Sequence, residues 1–181
     1  MALKATISKA LLNIANMDSH YYAEHNLTLA QHPSETDLRL MVRVLAFILN
    51  AEERLEFCKG ISQDDEPDLW VKSLGGDIEL WIDLGQPDEK RIKKACGRSQ
   101  KVIIYTYQEG MAAAWWKQIE SSLTRFSNLQ VVYLDMEGDI ELLAKRAMML
   151  QANISDNELT LMDDAQQSIV VRQKSMAELK R

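Results

Sequence analysis

The segment from Glu66 to Cys96, EPDLWVKSLGGDIELWIDLGQPDEKRIKKAC, constrains the fold of this chain more than any other stretch. It predicts a short strand, a tight turn, a second strand and a basic helix that begins at Pro87. The turn is assigned to Gly75-Gly76, because a type I′ hairpin turn needs positive φ at both central residues. The chain is therefore expected to contain an antiparallel hairpin that is followed at once by a helix.

The second strand of this hairpin has aliphatic side chains on one face and acids on the other. Alternate residues of a strand point to opposite faces. The aliphatic face carries Ile78, Leu80, Ile82 and Leu84, and the opposite face carries Asp77, Glu79, Trp81 and Asp83. An ordinary half-buried strand has mixed polar residues on its wet side, whereas this face has three carboxylates and no base.

A two-glycine turn also predicts which residues of the two strands lie opposite each other. The pairs are Leu74–Asp77, Lys72–Glu79, Trp70–Trp81 and Asp68–Asp83. The pairing of Asp68 with Asp83 is unfavourable, because like charges directly opposite destabilise a sheet by roughly 0.2–1 kcal/mol. We expect a cation, a proton or a lysine to offset this repulsion. A hard divalent metal, Mg²⁺ or Mn²⁺, is the first candidate, since both prefer carboxylate oxygens.

Length and composition limit the class of protein. A chain of 181 residues with 46% hydrophobic residues predicts one globular domain over residues 1–181. The N-terminus lacks a secretory signal, and no apolar run reaches the ~20 residues that span a membrane. Cys58 and Cys96 lack CxxC spacing and indicate reduced thiols in a cytoplasmic protein. The net charge of −6 counts against a general nucleic-acid binder and leaves room for a local basic patch.

The remaining periodic segments predict a mixed sheet flanked by helices. A helix begins near Ser34, its predicted N-cap, and buries a stripe that includes Met41, Val42 and Leu45. A loop is predicted over 61–65. Further strands are predicted at 3–17, 21–31, 101–107, 129–134, 149–155, 158–163 and 168–173, and further helices at 87–97, 111–124 and 140–148.

Three carboxylates stand out as candidate ligands. Glu35 is predicted in the first turn of the Ser34 helix, where it projects toward the sheet. The alternative is that it only complements the helix dipole, which is worth about 0.3–1 kcal/mol. Asp68 and Asp83 are predicted to face each other, and the alternative for both is simple solvation. Glu79 is expected to form a structural ion pair with Lys72.

The helix that begins at Pro87 carries a dense group of cations. Its helical phase puts Ile92, Ala95 and Cys96 on the buried side, with Arg91 and Lys93 flanking them. Lys93 is therefore expected to reach back toward the acids. A phosphate-binding surface is one interpretation of the cluster, and a solvated helix face is the other. The cluster consists of Lys90, Arg91, Lys93, Lys94, Arg98 and Lys101.

Several motifs together resemble the YaeQ family of small bacterial proteins over essentially the whole chain. They are ALKATI near the N-terminus, HPSET at 32–36, DDEPDLW at 64–70, WIDLG from Trp81, PDEKRIKKAC at 87–96 and LQANISD near the C-terminus. The resemblance implies a variation on the restriction-endonuclease-like core of PD-(D/E)XK nucleases, with β-hairpins added at the N- and C-termini. In that class, an acid on a helix, an acid on one strand and an (Asp/Glu)-x-Lys motif on the next strand bind Mg²⁺ and activate water, and the lysine helps to orient or activate the nucleophile.

The resemblance assigns roles to residues of this sequence. Glu35 resembles the helix acid, Pro67-Asp68 the PD element, and Asp83 the next acid, so these three would be the metal ligands. Gly85 stands where the class has lysine, and Lys93, with Lys94 second, is the predicted replacement for that catalytic group. Phosphate contacts are assigned to Lys90, Arg91 and Arg98.

Two functions follow as hypotheses. The first is a magnesium-dependent nuclease-like phosphodiesterase with nucleic acid as its partner. The second is a non-catalytic binding or regulatory protein on a degenerate nuclease-like scaffold, which the missing lysine and the acidic net charge favour. A third, structural reading assigns the carboxylates to hydrogen bonds with groups such as Arg39 and Arg43. The sequence leaves the oligomeric state open.

Overall fold

The computed structural model describes residues 4–58 and 65–176. The chain forms two compact units, Met1–Ile48 with Asp135–Gln173 and Leu49–Leu134 with Lys174–Arg181. We call them the first and the second unit and describe each by itself. The loop predicted over 61–65 lies, except for Asp65, outside the described residues. A single domain over 1–181 stays a prediction.

The first unit contains a mixed sheet in the order β2-β1-β8-β9-β10. Its neighbouring strands are antiparallel except for β1 and β8, which are parallel. The strands are β1 (Thr6–Asn16), β2 (Tyr21–Gln31), β8 (Ala147–Ser155), β9 (Glu158–Asp163) and β10 (Ser168–Ser175), the last of which enters the second unit. Both terminal hairpins predicted from the alternating patterns are therefore confirmed. Positive φ at Asp156 and Asn157 is typical of the two-residue turn that joins β8 and β9.

The helix of the first unit, α1 (Asp37–Leu49), begins later than predicted. Its cap is Thr36, whose Oγ1 accepts a hydrogen bond from the Arg39 amide at 3.1 Å, so Ser34 is not the N-cap. Glu35 consequently precedes the helix rather than lying in its first turn. From Leu40 to Ile48 every residue is buried, which is broader than the predicted stripe and typical of a helix that is covered all round.

The helix predicted over 140–148 is wrong. A single 3-10 turn, Ile140–Leu143, accounts for the helical spacing of its buried residues, and β8 begins at Ala147. From Ala147 onward buried and exposed residues alternate. This period of two suits a strand, and Met148 lies opposite Ala10 in the parallel pairing with β1. The pairing with β1 overrides the local helical preference.

The second unit contains a mixed sheet in the order β7-β6-β5-β4-β3. Strands β5, β6 and β7 are parallel, and β4 and β3 are added in antiparallel fashion. The elements are β3 (Leu55–Phe57), which was not predicted, β4 (Leu69–Lys72), β5 (Ile78–Leu84), α2 (Glu89–Arg98), β6 (Ser99–Thr106), α3 (Glu109–Leu123) and β7 (Leu129–Glu137), the last of which enters the first unit. Parallel strands joined by helices match the predicted mixed sheet.

The hairpin between β4 and β5 differs from the predicted two-residue turn. Of its two glycines only Gly76 has positive φ, at 94°. The Gly76 amide donates to the carbonyl of Ser73 at 3.0 Å, which closes a turn over Leu74 and Gly75. A turn followed by a left-handed glycine gives a three-residue loop with a bulge. The bulge shifts Lys72 opposite Ile78, while Trp70 still lies opposite Trp81 as predicted.

Helices α2 and α3 cover the face of the second sheet that carries Trp81. Ile92 and Ala95 of α2 and Ile119 of α3 form one core with Trp81 and Ile104. The supposed wet face of β5 is therefore largely buried beyond Glu79. The mixed α+β class is confirmed, and the restriction-endonuclease-like core stays a prediction. None of the helices in the described residues is long and apolar enough to cross a membrane.

Candidate functional site

Two buried aspartates lie where β4 begins and β5 ends. Asp68 and Asp83 are 4% and 3% exposed, so the alternative that both side chains are simply solvated is wrong. The amide of Asp68 donates to the carbonyl of Ile82 at 3.0 Å, which extends the antiparallel pairing to this point. Asp68 Oδ2 also accepts a hydrogen bond from the Leu84 amide at 3.0 Å. The two acids therefore lie on neighbouring strands, as the sequence predicts.

Arg91 of α2 binds Asp83 with two hydrogen bonds. Its Nε donates to Asp83 Oδ2 at 2.8 Å and its Nη2 to Asp83 Oδ1 at 3.0 Å. Nη2 also donates to the carbonyl of Glu66 at 2.9 Å. Two parallel bonds from a guanidinium to a carboxylate form one of the strongest and most directional ion pairs in proteins. Arg91 is thus a cation that offsets the unfavourable charge of the buried acids.

Local sequence explains why Arg91 reaches this position. Gly85, with φ of 91°, turns the chain out of β5, and its amide donates to the Tyr105 carbonyl at 2.8 Å. Asp88 then caps α2, because its side chain accepts from the Arg91 amide at 2.8 Å. The indole Nε1 of Trp115 in α3 donates a hydrogen bond to the carbonyl of Pro87 at 2.9 Å. The start of α2 is therefore fixed on both sides, with Arg91 in its first turn.

Arg91, and not the predicted Lys93, is the cation of α2 that binds Asp83. Both residues flank the buried stripe of the helix, and Arg91 lies on the side that faces Asp83. Lys93 is exposed. Arg91, which was assigned to phosphate, donates from Nε and Nη2 to Asp83 and from Nη2 to a main-chain carbonyl. One feature of the sequence could have indicated this contact: Arg91 lies in the first turn of α2, which is the turn nearest in sequence to the carboxyl end of β5.

The exposed side of α2 forms a concave basic surface. A pocket of about 340 Å³ is lined by Asp88, Lys90, Arg91 and Lys94. Lys94 Nζ lies 2.5 Å from Asp65, and this hydrogen bond lowers the pKa of the Asp65 carboxyl. Both side chains of that ion pair are largely exposed, so it is worth little and can open to a ligand.

Arg98 lies at the end of the same helix. Its Nη1 donates to the main-chain carbonyl of Asp65 at 2.9 Å, and its guanidinium lies 5.4 Å from the ring centroid of Trp81. Asp65 is therefore bound by Lys94 in the middle of α2 and by Arg98 at its end. Among the predicted phosphate contacts, Lys90 lines the pocket and Arg98 lies beside Asp65.

The predicted ion pair between Lys72 and Glu79 is wrong. Glu79 instead pairs with Arg54, whose Nη2 lies 3.1 Å from Glu79 Oε2. Lys72 Nζ lies 3.9 Å from the ring centroid of Trp70, a cation–π contact. The bulge in the hairpin is the physical reason, because it shifts Lys72 out of register with Glu79.

Glu35, the third predicted ligand, belongs to a separate charge cluster in the first unit. Arg39 Nη1 donates to Glu35 Oε2 at 2.8 Å, and Arg43 donates to both carboxylate oxygens at 3.0 and 2.6 Å. Arg43 also donates to the carbonyl of Ala30 at 2.9 Å. The side chains of Glu35 and Arg43 are both 3% exposed. These are the two arginines named in the structural reading.

The three predicted ligands therefore have protein partners. Glu35 and Asp83 are each bound by arginine, and Asp68 accepts a main-chain hydrogen bond. Within residues 4–58 and 65–176, no group of three or more His, Cys, Asp or Glu side chains is arranged so that it could hold a metal ion. What the described site can do chemically is hold a guanidinium rigidly and present ammonium groups beside it.

Comparison with known proteins identifies the family. The family model described as YaeQ protein matches residues 1–172. The chain is 48% identical over 166 residues to the Escherichia coli (strain K12) protein described as "Uncharacterized protein YaeQ", and the match covers 91% of this chain and 92% of that protein. Its Salmonella typhi counterpart is also 48% identical, with 90% and 91% covered.

Two crystal structures of other proteins are similar to the structure of this chain over almost its full length. The YaeQ protein from Xanthomonas axonopodis pv. citri has a TM-score of 0.89 and 46% identity, covering 94% of this chain and 97% of that one. The YaeQ protein from Pseudomonas syringae has a TM-score of 0.88 and 29% identity, covering 94% and 95%. The chain therefore belongs to the YaeQ family.

Proposed function

We propose that this chain is a non-catalytic binding protein that recognises phosphate groups with the basic side of α2. The observation that carries the proposal is the concave pocket lined by Lys90, Arg91 and Lys94 together with Asp88, where Lys90 has no ion pair among the described residues and the pair of Lys94 with Asp65 is exposed. In a protein of net charge −6, a local excess of cations attracts anions that the rest of the surface repels. The ammonium groups would contact the ligand.

In this proposal Asp83 positions Arg91 and takes no part in chemistry. A buried carboxylate with a bidentate arginine fixes the first turn of α2, and with it the direction of Lys90 and Lys94. Nucleic acid is the proposed source of the phosphates, because several cations lie along one helix and a single strand offers a phosphate at each nucleotide. The cytoplasm is the proposed compartment, since both cysteines are free thiols.

The test is binding of a fluorescein-labelled single-stranded oligonucleotide by anisotropy at low salt, with pyrophosphate as a competitor. The double variant Lys90→Ala/Lys94→Ala should bind at least about tenfold more weakly, because charge-assisted hydrogen bonds contribute ~1.5–3 kcal/mol each. Lys117→Ala, which removes an exposed lysine from α3, is the matched control. Equal losses in the control and in the double variant would contradict the proposal, as would an absence of binding by the wild type.

A second candidate function is a magnesium-dependent phosphodiesterase with Asp68 and Asp83 as metal ligands and Lys93 or Lys94 as the assisting group. The observation in its favour is that Asp68 and Asp83 are buried acids on neighbouring strands. Arg91 would have to leave Asp83 before a metal could bind there, since both carboxylate oxygens accept its hydrogen bonds.

This second candidate predicts saturable binding of Mg²⁺ or Mn²⁺ by calorimetry. The binding should be abolished by Asp83→Asn and strengthened by Arg91→Ala, which removes the competing cation. Labelled DNA and RNA in the same buffer would report cleavage. Metal binding that neither substitution changes would refute this assignment of ligands.

A further inference from the structure

One face of the first unit's sheet is open to solvent. Burial alternates along β1, β2 and β8, so that one side of each strand is buried and the other is largely exposed. The pairing registers place the exposed positions in continuous rows across the sheet. We call this surface the open face, and it consists of alternate residues from Tyr22 to Ala30, from Ile7 to Ala15, from Ala147 to Ser155 and from Glu158 to Met162.

Large apolar side chains lie on this face among polar and charged ones. Ile7, Tyr22, Met149 and Met162 are 52%, 61%, 55% and 37% exposed. Leu11 lies opposite Met149 in the sheet, and Gln151 lies opposite Met162. Leu11, Met149 and Met162 therefore form one apolar patch, and contiguous exposed apolar groups mark an interaction surface.

A pocket in the open face offers a place for an anchoring side chain. Its volume is about 200 Å³, and Leu11, Met149 and Met162 line it together with the amides of Asn13 and Gln151 and the acids Asp163 and Asp164. Both acids lie within 4 Å of Lys145 Nζ, at 3.8 and 3.7 Å, which offsets part of their charge. The unbranched thioether of methionine adapts its shape to a partner. The apolar part of this pocket can receive a large apolar or aromatic side chain, the type of residue that dominates interface energetics.

The charge of the open face favours a second copy of this chain as the occupant. Lys9 and Glu24 are of opposite sign, and Glu158 forms an ion pair with Arg172 at 2.9 Å. Two chains of charge −6 repel each other over most of their surfaces, and a near-neutral face is where they can meet at least electrostatic cost. A face with both charge signs and many amides can complement itself across a two-fold axis.

The area of the open face is sufficient for such a contact. Four strands at ~4.8 Å spacing and about nine residues at ~3.4 Å each give roughly 600 Å² per copy. Two copies would bury about 1,200 Å², which is the lower bound for specific stable interfaces. We propose that two copies of this chain pack the open faces of their first units against each other and form a two-fold symmetric dimer.

The experiment is analytical ultracentrifugation of the full chain over a concentration series up to ~100 µM, a range that also detects a weak dimer, because the area of an interface does not determine its affinity. The wild type should sediment with twice its 20.7 kDa mass. Met149→Glu should be at least about tenfold weaker in dimerisation, because it places a charge in the contact without a partner. Asn13→Glu at the same pocket should weaken the dimer as well.

The matched control is Leu142→Glu, which changes an exposed leucine of the same unit that lies outside the open face. Circular dichroism melting would establish that each variant is folded. A wild-type monomer throughout the series would overturn the proposal and leave the open face to a different protein. A dimer that survives Met149→Glu and Asn13→Glu, or that is lost in Leu142→Glu, would also overturn it.

Discussion

At the scale of single residues, arginine determines what the buried acids of this protein do. Asp83 and Glu35 are each bound at both oxygens by an arginine, Arg91 and Arg43. Burying an ion pair is costly, and removing one partner leaves an uncompensated charge that costs more. The sequence indicated that these acids are special and offered Arg39 and Arg43 as possible partners, but it did not predict that Arg91 binds Asp83. Side-chain pairing across elements depends on helix phase to within a fraction of a turn, which spacing alone does not determine.

The Glu35 cluster provides a test at this scale. Glu35→Ala should destabilise the protein by about 3–5 kcal/mol in urea unfolding, because Arg43 stays buried without its carboxylate. Glu79→Ala is the comparison, since its pair with Arg54 is partly exposed and should be worth about 0.2–1 kcal/mol. If both substitutions cost the same, Glu35 is not the structural anchor described above.

Tyr105 makes the stability depend on pH in the alkaline range. Burial raises the pKa of its phenol to about 12, although a hydrogen bond from Asn50 acts in the opposite direction. Because the folded pKa lies above the ordinary value of 10, this contribution to stability is present below pH 10 and is lost as the pH rises toward 12. The free energy of unfolding of Tyr105→Phe should fall less steeply over that pH window than that of the wild type. Urea midpoints of both proteins between pH 9 and 12 measure this difference. Equal pH dependence of the two midpoints would contradict the raised pKa of Tyr105.

At the scale of elements, patterns with a strict period were predictable and contacts between elements were not. The terminal hairpins follow from long alternating stretches, and the existence of α2 follows from its basic composition. The helix begins at Glu89 and not at Pro87 as predicted, because Asp88 is the N-cap. The segment 140–148 was misassigned, because Ile140 and Leu143 have helical spacing while the following residues pair with β1. The register of the β4–β5 hairpin was half right, since Trp70 meets Trp81 but a bulge displaces Lys72.

The cap of α2 links stability to binding. Asp88→Ala should cost about 0.5–2 kcal/mol, because the Arg91 amide loses its acceptor. Asp88→Asn keeps an acceptor at the cap and should be within a few tenths of a kcal/mol of the wild type in thermal unfolding. The same Asp88→Asn change removes the acid from the basic pocket, so oligonucleotide affinity should rise. A fall in affinity for Asp88→Asn would contradict phosphate binding at this pocket.

At the scale of the whole molecule, charge is distributed unevenly. The chain carries 27 acidic and 21 basic residues, yet α2 alone contributes five lysines and arginines within ten residues. A phosphate ligand held by such a helix releases counterions when it binds. Oligonucleotide affinity should therefore fall steeply as salt rises, with a slope of about −0.7 per phosphate contact on a logarithmic plot. Anisotropy titrations at several salt concentrations measure this slope, and a slope near zero would contradict electrostatic recognition.

The central claim is that Asp83 serves to hold Arg91 in place, and a double-mutant cycle tests it most directly. Asp83→Asn, Arg91→Met and the double variant would be compared with the wild type by urea unfolding. We predict a coupling energy of about 1–3 kcal/mol, because each single change leaves an unpaired charge that the double variant lacks, and the charge of Asp83 is buried. A coupling energy within about 0.3–0.5 kcal/mol of zero, the range for independent sites, would contradict the account.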